Sequence, residues 1–293
     1  MKPYAKQIRL IVTISLSINI ILTVIKLTFG YLGGAHALVS DGFNSLSDIM
    51  ISLVMLVTLR IANKKPDFNH PYGHEKFEGI TYLLLGLVVS FTAVYIVYDG
   101  IQGLISYFSG EVSRIPDQMT IYVAGIAMIL KLGVTYLNYR GAKKYHSVSL
   151  KADYLNHLTD LLSIGLALLA IILAQFSLVF IDYIAGIIIG LIVTFSAIKL
   201  LKDGLSYIVD QAPSKDDYDQ IYHEIKHVDG VIRIDDLKIR QHVLNLYVDV
   251  EIAVNRNLSL KAAHQIAENV HDHIENVFDN VLHIMVHVNP DKE

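Results

Sequence analysis

The sequence predicts a membrane bundle of six transmembrane helices, followed by a smaller cytoplasmic domain of mixed α and β structure. Three observations indicate this fold class. Of the 293 residues, 53% are hydrophobic and only 18% are charged, whereas about 25% are charged in a typical soluble domain. Runs of about twenty apolar residues fill the first two thirds of the chain. Most of the charge lies in the last third.

Composition excludes several classes of protein. There is no cysteine, so disulfides, thiolate zinc sites, iron–sulfur clusters and cysteine nucleophiles are excluded. The net charge of -4 provides no basic surface for nucleic acid, and the chain is too hydrophobic to be disordered. No H-E-x-x-H motif lies within the apolar runs, which argues against an intramembrane metalloenzyme. We therefore expect a membrane protein that is not an enzyme.

Six stretches are long and apolar enough to cross the hydrocarbon layer, which takes about 20 residues of helix. The second stretch is interrupted by Asp41, Asn44 and Asp48, so hydropathy alone scores it poorly. The six predicted spans are Leu10–Phe29, Ala35–Leu59, Gly79–Ile105, Met119–Tyr139, Ala152–Ala174 and Leu178–Leu201.

The distribution of Lys and Arg predicts the orientation of the spans. These residues cluster at the N-terminus, in the loops after spans two and four, and after span six. The remaining three loops hold only Arg114. Since cytoplasmic loops carry the excess of positive charge, both termini are expected in the cytoplasm, with the protein in the cell membrane. We expect a transport domain over residues 1–210 and a cytoplasmic domain over residues 211–293.

The tail after Pro213 shows the spacing of a small α+β domain. Two segments alternate apolar and polar residues, as half-buried strands do, and Ser259 is a plausible N-cap for a helix. The predicted elements are a helix over 214–227, strands over 232–239 and 244–252, a helix over 259–278 and a strand over 281–288. This α-β-β-α-β order predicts a ferredoxin-like sandwich.

Spans two and five contain matching polar motifs, DGFNSLSD and DYLNHLTD, which both read D-x-x-N-x-x-x-D. Positions i, i+3 and i+7 fall on one face of a helix. Each span therefore presents one polar stripe. The stripes are Asp41, Asn44 and Asp48 in span two, and Asp153, Asn156 and Asp160 in span five.

Carboxylates inside a bilayer indicate a functional site, because each costs at least ~2.5 kcal/mol at the centre of the membrane. Spans two and five are antiparallel in the predicted topology, so their stripes can face each other around one point. Oxygen ligands suit hard or borderline ions such as Mn²⁺, whereas imidazole favours Zn²⁺. His157 points about 100° from Asn156 and is left outside the ligand set. The alternative is that the stripes only supply interhelical hydrogen bonds.

Three other charged residues in the spans have simpler interpretations. Lys26 and Lys131 lie inside spans one and four, and we expect their long side chains to extend toward the membrane interface. Asp182, near the outer end of span six, is expected to cap a helix.

With these motifs, the sequence resembles the cation diffusion facilitator family over nearly its whole length. The segments that carry the resemblance are HPYGHEKFE, LVSDGFNSLSD and LKADYLNHLTD. The resemblance implies a homodimer in the lipid bilayer that exports divalent metal from the cytoplasm, with protons as the counter-substrate. A passive divalent channel is the alternative; it would need a continuous polar lining, whereas the polar residues here cluster at one depth.

The resemblance also implies which residues bind metal for transport. The four matching positions are Asn44, Asp48, Asn156 and Asp160, with Asp41 and Asp153 as accessory acidic residues. Zinc-transporting members usually have His at one or both first positions. Asn at both positions favours Mn²⁺, and Zn²⁺, Fe²⁺ and Co²⁺ are the alternatives.

Outside the spans, the resemblance implies two further metal sites and a salt bridge at the dimer interface. In the tail, two His positions of the zinc and iron type are Asp here and one Asp is Asn, so the ligand number is open. A tail site would act as a sensor that biases the transporting state. The residues implied are Asp67, His70 and His74 in the loop, Lys76 and Asp210 in the salt bridge, and Asp235, Asp249, His264, His287 and Asn289 in the tail.

Overall fold

The computed structural model of the chain describes residues 5–62, 64, 67–71, 73–111, 114–145, 147–242 and 245–292. Six long helices come first, namely α1 (Ala5–Gly33), α2 (His36–Ala62), α3 (Lys76–Phe108), α4 (Gln118–Tyr145), α5 (Val148–Gln175) and α6 (Phe180–Ile208). The tail follows with α7 (Lys215–Lys226), β1 (Arg233–His242), β2 (Asn245–Val254), α8 (Leu260–Val277) and β3 (Val281–Pro290).

Each of the six predicted spans corresponds to a helix, and each helix continues past the C-terminal end of the stretch that predicted it. The helices α2 and α6 begin one and two residues after their predicted starts. In the described part of the chain, five of them, all except α2, are long and apolar enough to cross a membrane. The helix α2 has 27 residues and carries the polar motif of span two. That hydropathy alone scores this span poorly stays a prediction, because some side chains of α2 lie outside the described residues.

The chain divides into two compact units, one with residues up to Leu56 and Leu84–Leu201, the other with Val57–Leu83 and the residues from Lys202 onward. In the first unit, α4 packs against both α1 and α5. Small residues of α5 and α6, such as Ala170 and Ala185, form a buried cluster with Ile189. Small side chains let helix backbones approach closely in membranes.

Glycine permits two close helix contacts in the first unit. A Cβ atom at Gly42 would lie 2.7 Å from Cδ2 of Leu27, so α2 can approach α1 only because residue 42 has no side chain. At Gly100 of α3, a Cβ atom would lie 2.6 Å from Cγ1 of Ile187 on α6. Larger residues at either position would push these helices apart.

In the second unit, the tail forms a three-stranded sheet in the order β1-β2-β3. The strands β1 and β2 pair antiparallel, and β2 and β3 pair parallel. Both helices begin with a serine N-cap, since Ser214 accepts from the N–H of Asp217 and Ser259 from the N–H of Ala262. The predicted α-β-β-α-β order and the Ser259 cap are confirmed. Residue 244, where a strand was predicted to begin, lies outside the described residues.

The core of the tail lies between the sheet and its two helices. Alternate residues of β2, including Val248, Val250 and Ile252, are buried against Ile225 of α7 and Ile274 of α8. Burying an aliphatic side chain of this size stabilises the fold by about 1.5–3 kcal/mol relative to leaving it exposed. The intervening residues of β2 are half-buried, as expected for a sheet with one covered face.

Candidate metal centre

The polar motifs of α2 and α5 meet in the structure. Asn44 and Asp160 are buried, with 7% and 3% of their surfaces exposed. Nδ2 of Asn44 donates a hydrogen bond of 3.3 Å to Oδ1 of Asp160. Asp48 is half-buried one turn along α2 and lies within electrostatic reach of Asp160. The contact between the motifs therefore consists of two carboxylates and an amide.

A cavity of about 190 Å³ lies beside this contact. Asp48 lines it from α2, while Asp153, Asn156 and His157 line it from α5. Asn156 is exposed, and no hydrogen bond joins it to the other three predicted ligands among the described residues. The wall from α1 supplies Ser15 and Asn19, among others. A hydrated cation entering this cavity would meet oxygen atoms from three helices.

Asp160 is the most heavily engaged residue of the centre. Its Oδ2 lies 2.6 Å from Nζ of Lys131 on α4, and only 3% of the Lys131 surface is exposed. The same ammonium group donates to Oδ1 of Asn19 at 2.8 Å. The expectation that Lys131 extends toward the membrane interface is therefore wrong. The carboxylate of Asp160 and the amide oxygen of Asn19 hold the ammonium group inside the bundle.

His157 also belongs to the centre, although the helical wheel separated it from Asn156. It is buried and places Nδ1 3.5 Å from Oδ2 of Asp160. The spacing i, i+3 between His157 and Asp160 puts the two on one helix face. The i, i+3 spacing of His157 and Asp160 can be read from the sequence, but His157 was compared only with Asn156.

Asp41 has a partner of its own. It is completely buried, and its Oδ2 lies 2.7 Å from Nζ of Lys26. Lys26 also donates to Oγ of Ser45 at 2.9 Å, so the expectation that it extends to the interface is wrong as well. Asp182 accepts from the N–H groups of His36 at 2.6 Å and Ala37 at 3.1 Å. It therefore caps a helix as expected, although that helix is α2.

The loop residues Asp67, His70 and His74 are close together. Their ligand atoms all lie within 4.8 Å of one another, and they are the only such group of three His, Asp or Glu residues in the described part of the chain. The backbone N–H of His70 donates to Asp67 and holds the pKa of this carboxyl below its ordinary value. Nδ1 of His74 is buried without a hydrogen-bond partner. The cluster has the geometry for a divalent ion with three protein ligands.

Lys76 and Asp210 form an ion pair within one chain. Nζ of Lys76 lies 3.1 Å from Oδ1 of Asp210, with about half of each side chain exposed. Asp210 adopts φ 55°, a conformation that Asp tolerates better than most residues. Exposed pairs of this kind contribute about 0–1 kcal/mol. A role in the dimer stays a prediction.

The structure joins only part of the ligand set predicted for the tail. Nδ2 of Asn289 donates to Asp235 at 3.1 Å. The guanidinium of Arg233 lowers the pKa of the Asp235 carboxyl. His264 is 71% exposed and pairs with Glu268. The other two predicted ligands, Asp249 and His287, are half-buried and exposed on neighbouring strands.

Six long helices, five of them strongly apolar, and a separate α+β tail define a multi-pass membrane protein. The chain belongs to the cation efflux family, which is also called the cation diffusion facilitator family. The family's cation efflux transmembrane domain matches residues 12–209, and its cytoplasmic domain matches residues 213–291. This confirms the resemblance and the predicted fold class. The protein is a divalent metal cation efflux transporter, and the members of its family are transporters rather than enzymes.

The chain is similar to several curated proteins over most of its length. An uncharacterized transporter of Methanocaldococcus jannaschii is 33% identical over 92% of this chain and 94% of its own. The manganese efflux system proteins MneP and MneS of Bacillus subtilis are 27% and 32% identical, over 96% and 88% of this chain and 96% and 87% of their own. Among solved structures, a nickel form of MamM CTD is 19% identical, covers 27% of this chain and 100% of its own, and has a TM-score of 0.26.

Proposed function

We propose that this protein exports Mn²⁺ from the cytoplasm in exchange for protons, through a site formed by Asn44, Asp48, Asn156 and Asp160. The observation that carries the proposal is the meeting of two intramembrane carboxylates beside a cavity lined by polar groups. Intramembrane carboxylates at such a place mark ion pathways. A helix contact that served only as a structural hydrogen bond would need neither the second carboxylate nor the cavity.

Metal enters the cavity and exchanges water for the oxygen atoms of the site. Rigid-body rocking of the bundle then exposes the bound ion to the other side of the membrane. Protons compete with metal for the carboxylates of Asp48 and Asp160, so that binding of one favours release of the other. Asn44 and Asn156 do not titrate, which restricts proton binding within this ligand set to the two aspartates.

The preference for Mn²⁺ rests on the chemistry of the ligands. The four ligands offer only carboxylate and amide oxygen, and no thiolate ligand is available because the chain has no cysteine. Oxygen ligands suit Mn²⁺, and two similar proteins are named as manganese efflux proteins. The imidazole of His157 beside Asp160 is the observation that favours Zn²⁺ as the second candidate, with Fe²⁺ and Co²⁺ behind it.

The remaining assignments complete the proposal. Both termini lie in the cytoplasm of a cell-membrane homodimer, with residues 1–210 as the transport domain and residues 211–293 as the regulatory and dimerisation domain. Lys76 and Asp210 steady the cytoplasmic side of the dimer. The loop cluster of Asp67, His70 and His74 and the tail residues are accessory metal sites that respond to cytoplasmic metal.

The experiment is metal accumulation in cells that lack the transporter and then regain it, with Mn, Zn, Fe and Co measured together. The wild-type chain is expected to lower cellular Mn most. Asp48→Ala is expected to abolish that effect because it removes one carboxylate of the site. Asp219→Ala, which removes an exposed carboxylate of α7, is the matched control and should export metal normally. Normal efflux by Asp48→Ala would refute the site.

Vesicles containing the purified protein separate antiport from a passive channel. With an antiporter, dissipating the proton gradient abolishes the part of Mn²⁺ transport that runs against the metal gradient. An imposed pH gradient alone should drive Mn²⁺ uphill. A channel would show the same Mn²⁺ flux with and without a pH gradient, and that result would contradict proton exchange.

A further inference from the structure

We propose that Lys131 is a tethered cation that occupies the carboxylate of Asp160 when no metal is bound and must be displaced for metal to bind. The inference rests on the transport site proposed above and adds a residue that sets its affinity. Neither the polar motifs of α2 and α5 nor the family's ligand positions include α4, the helix that carries Lys131.

The geometry shows that Lys131 and a metal ion would compete for the same oxygen atoms. Oδ2 of Asp160 lies 2.6 Å from the ammonium group, and Oδ1 accepts from Asn44. His157 approaches Oδ2 as well. Both oxygens are therefore engaged by positively polarised groups. A divalent ion can bind Asp160 closely only if at least the ammonium group moves away.

Charge makes this competition strong. Ionised Asp48 and Asp160 carry two negative charges, and Lys131 returns one positive charge to a region sheltered from water. An ammonium group left beside a divalent ion would be strongly repelled, because charges interact strongly where water is excluded. The divalent ion has twice the charge of the ammonium and can displace it, but part of its binding free energy is spent on that displacement.

The structure also provides a place for the displaced ammonium group. Lys131 already donates to Oδ1 of Asn19 at 2.8 Å, and Asn19 lines the cavity together with Ser15. The lysine side chain is a flexible stem with a compact charge. It can therefore keep its bond to Asn19 while it swings away from Asp160.

Lys26 differs from Lys131 in the way that the proposal requires. Its ammonium group pairs with Asp41, which is completely buried and is not one of the four ligands proposed for transport. Lys26 thus closes a structural ion pair, whereas Lys131 occupies a carboxylate at the transport site. A resident cation of this kind sets a threshold concentration, so that the exporter binds metal only when cytoplasmic metal is high. It also helps to expel the metal when the ammonium group returns to Asp160.

The test measures initial rates of Mn²⁺ transport in vesicles over a range of Mn²⁺ concentrations, with Zn²⁺ run in parallel. Lys131→Met removes the competing charge, so KM should fall by roughly tenfold, an ordinary size for coupling between two ligands. The maximal rate should fall too, because no ammonium returns to expel the ion. Lys131→Arg should raise KM, since a guanidinium holds a carboxylate through two hydrogen bonds.

Opposite shifts of KM in the two variants distinguish competition from a merely structural role. Lys143→Met and Lys143→Arg make the same changes at an exposed lysine of α4 and should leave KM unchanged. If Lys131→Met does not fold, Lys131→Arg carries the test, and an unchanged or lower KM in that variant overturns the proposal. An unchanged or higher KM in folded Lys131→Met also overturns it.

Asp48→Ala separates this inference from the site assignment. If Asp48→Ala abolishes transport while both Lys131 variants keep the wild-type KM, only the tethered cation is refuted. If transport survives in Asp48→Ala, or if the wild-type chain moves neither Mn²⁺ nor Zn²⁺, the proposed site itself is refuted.

Discussion

Removing Lys26 should destabilise the helix bundle, because it leaves Asp41 as an unpaired buried charge. The two groups are 2.7 Å apart, with 2% and 0% of their side chains exposed. At that distance the attraction is ~6 kcal/mol for an effective dielectric constant of about 20. Desolvation of the two charges offsets part of this attraction. Removing one partner of a buried ion pair costs about 3–5 kcal/mol of stability. We expect a loss of that size for Lys26→Met.

The assay is a double-mutant cycle on unfolding of the full chain in detergent micelles. Removing both charges should be far less harmful than removing one, since well-packed neutral replacements of buried pairs are often nearly neutral. Lys26→Met with Asp41→Asn should therefore recover most of the stability lost in Lys26→Met alone. A double variant that is no more stable than Lys26→Met would refute the ion pair as the reason for the burial of Asp41.

Two further predictions concern the metal sites. Asn44→His together with Asn156→His should shift transport toward Zn²⁺, because imidazole favours that ion; an unchanged Mn²⁺ preference in competition assays would place selectivity elsewhere. His74→Ala should weaken Co²⁺ binding to the loop cluster, which is measured by the absorbance of Co²⁺ bound to the full chain. Mild acidification should leave the Asp67 carboxylate ionised. The pKa of Asp67 lies below its ordinary value of 3.8, so this ligand stays ionised until the pH falls below that value. Co²⁺ absorbance unaltered in His74→Ala would contradict the loop site.

The architecture was largely predictable because it follows from periodicity. The order of the tail elements follows from alternating and helical spacing, and Ser259 begins α8 as its N-cap residue type indicates. The helix α2 was predictable despite its polar residues because the basic N-terminus and the basic loop after α2 belong on the same side of the membrane, which requires a second crossing after α1. The ends of the helices were less predictable. The helices continue beyond the hydrocarbon layer, and no abrupt change in residue type marks where they end.

The site was predictable only in part, because one helix face shows nothing of the helices packed against it. The stripes on α2 and α5 could be derived from spacing alone. That Lys131 reaches Asp160 depends on α4 packing against α5, which no spacing within α4 indicates. The lysines were interpreted one at a time as long side chains with apolar stems. Buried acidic residues at a similar depth were a sign that the lysines had partners nearby.

The transport site is tested most directly by anomalous X-ray scattering from crystals of the full chain soaked with Mn²⁺. An anomalous peak is expected between α2 and α5, at the distances of about 2.0–2.6 Å that oxygen ligands keep from divalent ions, with the carboxylates of Asp48 and Asp160 as ligands. Nζ of Lys131 should have moved away from Asp160. Manganese peaks confined to the loop cluster or the tail, with Lys131 still 2.6 Å from Asp160, would contradict the central claim.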